Sequence, residues 1–170
     1  MKTLAPVIYI SFCLIVLFSS CTKDKVPDDI DIKLYNMAVK TTGFTWYNLS
    51  DINLDKSSGS GHNFPFLRTR FNDVAATQLD VNGKVNDGII FPEGSLIVKE
   101  LINQDLDIER YAILYKESSN ESADANGWVW GYINSDKTIA ATALDKGAAC
   151  ISCHQQTGNI DQVLMNKFFP

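Results

Sequence analysis

Histidine, long apolar runs and clustered positive charge are all scarce in this chain, and each scarcity removes a class of function. Among 170 residues there are two histidines and four cysteines, so a zinc site with four good ligands is hard to assemble. Lys and Arg number 15 against 20 Asp and Glu, a net charge of −5 with no basic cluster. That excludes nucleic acid as a natural partner and a polybasic patch as a membrane anchor. The apolar segment at residues 7–18 is too short to span a bilayer. No internal repeat is visible. The length fits one domain with a real core.

What the N-terminus does contain is an export pattern. Lys2 supplies a positive start, residues 7–18 an apolar stretch, and Ser19-Ser20-Cys21 follows at once, the order of a signal peptide. Small residues directly before a cysteine resemble a bacterial lipobox, although Phe18 stands where Leu, Val or Ile is usual. The expected organisation is a lipoprotein signal at 1–20, a tether at 21–29 led by the lipidated Cys21, and one domain at 30–170. The mature chain would sit in a bacterial cell envelope, periplasmic or surface-facing, held to a membrane by its acyl chains only.

Near the other end stands Cys150-Ile151-Ser152-Cys153-His154. Cys-x-x-Cys-His is the attachment signature of haem c: two thiols add to the porphyrin vinyl groups and the adjoining imidazole binds iron. A dithiol redox pair would need a βαβ setting, and a zinc site two further ligands. Neither context is present. With Cys13 in the signal and Cys21 as anchor, no pair remains for a structural disulfide. Export and haem attachment agree with each other.

Between these ends the chain reads as β-rich. Ile30, Leu34, Met37 and Ala38 recur at helical spacing, and residues 44–49 are strand-like. Residues 51–63 form a polar, Ser/Gly-rich loop. Residues 66–71 alternate, with Leu67, Thr69 and Phe71 on one face and Phe66, Arg68 and Arg70 on the other. Asn72 or Asp73 can cap a short helix at 74–79. Strands are then expected at 95–102, 110–116 and 127–133, a helical turn within 138–149 limited by Gly147, and a final helix at 161–169.

The position of the motif bears on the iron. Only 16 residues follow His154, and Met165 among them lies in the expected last helix, where packing is the ordinary role of such a methionine. His62 reads as a solvated loop residue; it could reach iron only if its loop folded over the distal side. The expectation is a five-coordinate iron with an open distal face, suited to small-ligand chemistry.

Phe91-Pro92-Glu93-Gly94-Ser95-Leu96-Ile97-Val98-Lys99-Glu100-Leu101, with Leu67-Arg68-Thr69, Gly127-Trp128 and the C-terminal Cys-x-x-Cys-His block through Pro170, resembles the cytochrome P460 family, whose fold cytochromes c′-β share. The resemblance spans residues 64–170. It implies an α+β fold, a mostly antiparallel sheet with short helices on one side, a homodimer and one covalent haem c per chain. It also implies an enzyme that oxidises hydroxylamine, in some settings with nitric oxide, and passes electrons to an external acceptor.

The resemblance places Lys99 where the family bonds a lysine to the porphyrin edge, and Arg68 in the distal pocket region. Asp145 is the nearest candidate for the distal carboxylate of catalytic members. Read from the residues alone, Lys99 shares a strand face with Ile97 and Leu101 and is either a haem-facing amine or a surface lysine. Arg68 and Asp145 could equally be surface residues. Phe64, Phe66 and Phe91 are candidates for an apolar distal wall, and Trp128 with Trp130 for core or haem edge. Three functions follow: a P460-type oxidoreductase, a c′-β-like nitric oxide binder without turnover, and an envelope electron carrier.

Overall fold

The alternation at residues 66–71 becomes strand β3 (Phe66–Asn72), the hub of the sheet. The computed structural model describes residues 27–170, so the signal, Cys21 and most of the tether lie outside the described residues. Helix α1 (Asp29–Ala38) leads into β1 (Phe44–Trp46), a 3-10 turn at Tyr47–Leu49 and the short β2 (Leu54–Asp55). After β3 come α2 (Asp73–Ala76), β4 (Leu96–Ile102), β5 (Ile108–Lys116), β6 (Trp128–Asn134) and β7 (Ile139–Ala141). A second 3-10 turn, Ala143–Asp145, precedes α3 (Ile151–His154) and α4 (Met165–Phe168).

All seven strands join one antiparallel sheet in the order β1-β3-β4-β5-β6-β7, with β2 also pairing β3. The fold is α+β. Asn72 caps α2 through a 2.9 Å bond from the Ala75 amide to its side-chain oxygen. The helix stops after four residues, shorter than its sequence pattern, because Leu79 and Val85 pair as an isolated bridge.

The sheet is covered on both faces, so its central strands carry apolar residues at nearly every position. One face packs Leu34 and Ala38 of α1 against Val98, Ile113, Val129 and Ile133. The other packs Leu67, Phe71, Ile97, Leu101 and Trp130 beneath Phe91, Val163 and Met165. The short helices are therefore divided between both faces. On the α1 side, buried Asp31 accepts bonds from the Thr142 hydroxyl at 2.6 Å and the Ala143 amide at 2.8 Å. This ties α1 to the turn that leads into α3.

Lys99 and Glu100 resolve onto opposite faces as period two requires. Glu100 is buried on the α1 side in an ion pair with Arg70 at 2.7 Å, and also pairs with Arg68. Lys99 is left on the other side, opposite Thr69 of β3 and Ala112 of β5.

Candidate haem site

Lys146 and Gly147 both take positive φ, 49° and 71°, turning the chain sharply after the 3-10 turn. An alanine Cβ at Gly147 would lie 2.6 Å from Cδ1 of Trp130, so only glycine permits this close approach. The reversal brings Cys150 and α3 back onto the sheet. Residues three apart share one side of a helical turn, and Cys150 and Cys153 both line one cavity with His154. Neither thiol is in a disulfide. Burial, with Cys153 beside it, pushes the Cys150 thiol above its usual pKa.

His154 is oriented by a hydrogen bond and a ring contact. Its Nδ1 lies 2.7 Å from the backbone carbonyl of Gln162. A carbonyl only accepts, so Nδ1 carries the proton and Nε2 keeps its lone pair for a metal. The Trp130 ring meets the imidazole edge-on, with centroids 5.0 Å apart at 87°. Burial lowers the His154 pKa to about 4, with Lys99 adding to the shift against the bond to Gln162. The imidazole is neutral at neutral pH.

The Gln162 carbonyl is itself held. Asp161 and Gln162 take φ of 43° and 73°. The Asp161 carboxylate accepts from Lys116 Nζ at 3.1 Å, Trp128 Nε1 at 3.2 Å and the Phe91 amide at 2.9 Å. This buried node replaces the N-terminal half of the expected final helix and pins the C-terminal segment to the sheet.

The cavity measures about 360 Å³, within the range of ligand pockets. Ile97, Ala112, Leu114 and Trp130 form an apolar floor, and Leu164 and Phe168 a side wall. Lys99 projects from that floor. Burial alone brings its pKa down to about 8, and among the described residues no carboxylate pairs with it. Residues 59–62 wall the cavity on the side away from that floor. A Cβ at Gly59 would fall 2.6 Å from Phe168, and one at Gly61 3.8 Å from the Cys153 sulfur. An apolar slot with two thiols and a neutral, oriented imidazole fits a haem covalently held at its rim.

The family model described as Cytochrome P460 matches residues 56–165. The chain belongs to the Cytochrome P460 family. No curated protein and no solved structure matches it. As a Cytochrome P460 member it is a c-type haem protein, and the match takes in the thiols, His154, Lys99 and His62.

Within this Cytochrome P460 fold the residues singled out in the sequence fall into two groups. Cys150, Cys153, His154 and Lys99 meet at the cavity. Arg68 does not: the β3–β4 register places it on the α1 face opposite Glu100, where its guanidinium also lies 5.0 Å from the Trp46 ring centroid. Asp145 is exposed at the end of its 3-10 turn and lines not this cavity but a small pocket beside it, which shares Trp130, Tyr132 and Cys150 with the cavity wall. Phe91 stacks with Phe71 in the core, Phe64 lies against Arg110, and Phe66 follows Arg68 in alternation; none lines the cavity. Met165 is core, its sulfur accepting from the Thr69 hydroxyl at 3.3 Å.

His62 departs most from its sequence reading. It lies half-buried in the cavity wall rather than in solvent, with Nδ1 3.2 Å from the Tyr132 hydroxyl. Burial, then Lys99, His154 and nearby cations, lower its pKa to about 3. Tyr132 went unnoticed in the sequence. Its signal was the same period-two alternation that pairs Trp128 with Trp130.

Proposed function

We propose that the chain is an exported, lipid-anchored envelope protein carrying one haem c, bound through Cys150 and Cys153 with His154 on the iron. It acts on a small nitrogenous molecule, hydroxylamine first and nitric oxide second, works as a homodimer and delivers electrons to an external acceptor. The observation that supports this reading is Lys99. It is a desolvated amine on the floor of the cavity that holds the attachment motif.

The bound haem supplies the redox-active iron. The protein supplies the rest. Cys150 and Cys153 anchor the rim, and the Gln162 carbonyl sets the tautomer of His154. A pKa near 8 leaves roughly a tenth of Lys99 neutral at pH 7. A bond from Nζ to a porphyrin-edge carbon would replace one N–H and one C–H by a C–N bond and release two protons and two electrons, so it would require a two-electron oxidant of the peroxide class.

A second reading rests on what borders the cavity. No carboxylate lines it among the described residues; Asp145, the carboxylate that borders the smaller adjoining pocket, is exposed. Nitric oxide binding, as in cytochromes c′-β, releases no protons and needs no carboxylate. The test is haem-loaded protein assayed for hydroxylamine-dependent reduction of a dye, together with masses of its haem peptides. Dye reduction and a Lys99 peptide joined to haem support the enzyme. No turnover, with an unmodified Lys99 peptide, overturns it in favour of nitric oxide capture.

A further inference from the structure

The polar loop at residues 51–63 does not stay in solvent, and its position gives His62 a role beyond lining the cavity. The Lys56 amide bonds the Pro65 carbonyl at 2.8 Å and the His62 amide approaches the Ser60 hydroxyl at 3.3 Å. Gly59 rests on Phe168 and Gly61 beside Cys153. The loop is thus docked against the segment that carries the attachment motif, and the imidazole of His62 is directed by the Tyr132 hydroxyl.

The two imidazoles are arranged alike. Each has Nδ1 engaged by an oxygen, the Tyr132 hydroxyl for His62 and the Gln162 carbonyl for His154, and among the described residues neither Nε2 has a hydrogen-bond partner. Both line the same cavity, and their ring centroids are 6.4 Å apart. Two imidazoles bonded through Nε2 to opposite sides of one metal ion, at about 2 Å each, would have ring centres roughly 6 Å apart. Stacked or hydrogen-bonded histidines would sit nearer.

We infer that His62 is the second axial ligand of the haem iron in the resting protein, a ligand that an incoming small molecule must displace. The iron is then six-coordinate at rest, and the loop at residues 57–63 guards the distal side. Tyr132 is a positioning residue: its hydroxyl meets His62 Nδ1 at 3.2 Å and directs the ring, and ligation takes the tautomer with the proton on Nδ1, which a hydroxyl can accept. The inference rests on haem attachment at Cys150 and Cys153 but not on the Lys99 bond.

The test uses full-length protein matured with its haem. Ferric absorption and electron paramagnetic resonance spectra should show low-spin iron with nitrogen ligation. The ring planes, 77° apart, should give the strongly anisotropic signal of near-perpendicular imidazoles. His62→Ala should convert the iron to high spin, raise azide affinity at least tenfold by removing the internal competitor, and return to low spin on adding imidazole. That rescue separates ligation from mere support of the loop. Tyr132→Phe should stay low spin with a smaller gain in azide affinity. High-spin wild-type iron, or a His62→Ala protein with unchanged spin state and azide affinity, overturns the inference. Haem peptide masses keep the readings apart: no haem on the Cys150–Cys153 peptide overturns attachment and this inference with it, whereas an unmodified Lys99 peptide touches only the proposed catalysis.

Discussion

The imidazole of His154 and the backbone carbonyl of Gln162 stand 2.7 Å apart, and that bond sets which nitrogen can meet a metal. The carbonyl points correctly because Asp161, one residue earlier, is anchored in the core by Lys116, Trp128 and Phe91. The proximal side is therefore built from the sheet outward.

Asp161→Asn tests this support. It keeps the size and tolerance for positive φ but leaves the buried Lys116 ammonium without its counter-charge. Losing one partner of a buried pair should cost about 3 kcal/mol, read from urea unfolding. The yield of attached haem should fall with it.

Lys99 governs a pH dependence in the haem-free chain. Its folded pKa of about 8 lies below the ordinary lysine value of 10.5, so between these pH values the unfolded state binds more protons. Stability then rises as pH rises through that window. Lys99→Met should remove this rise and be relatively more stable below pH 8. Urea titrations from pH 7 to about 10.5 check both signs.

Gly147→Ala should destabilise by about 1–3 kcal/mol through backbone strain, because the position has φ 71° and its Cβ would collide with Trp130. Trp130 is the edge-on neighbour of His154. A lower melting temperature should come with an altered haem spectrum, whereas pure turn strain would leave the spectrum alone.

Arg68→Ala separates the two faces of the sheet. Its guanidinium pairs with Glu100 and lies over Trp46 on the α1 side, so stability should drop by about 1 kcal/mol while Glu100 keeps Arg70. Ligand affinity at the haem should not change. A tenfold loss of azide affinity would show that Arg68 reaches the distal pocket after all.

Several of these relationships were legible in the sequence because they depend on neighbours along the chain. The spacing of Cys150, Cys153 and His154 puts two thiols and an imidazole on about one helical turn, whatever surrounds them. Period two placed Lys99 with Ile97 and Leu101, and Leu67 with Thr69 and Phe71, and the strands keep those faces. The strand boundaries from residue 66 to 134 shifted by no more than a few residues.

Other relationships depend on contacts across the chain. Arg68 belongs to a motif that resembles a distal pocket, yet the register that sets Thr69 opposite Lys99 sends Arg68 to the other face with Glu100. One residue of register reverses every side chain, and composition carries no trace of it. The expected last helix gives way to a buried carboxylate node at Asp161 because Lys116 and Trp128, distant in sequence, need that partner. His62 is the clearest case. A Ser/Gly-rich loop permits many paths, and its sequence alone reads as solvent.

The sequence by itself determined the Cys-x-x-Cys-His spacing at Cys150, Cys153 and His154, the β-rich class and the grouping of Lys99 with Ile97 and Leu101 on one strand face, because local spacing and alternation decide those. Only the tertiary structure decided that Arg68 turns away, that Asp161 and Gln162 orient His154, and that His62 enters the cavity. Each of these depends on packing between segments far apart in the chain.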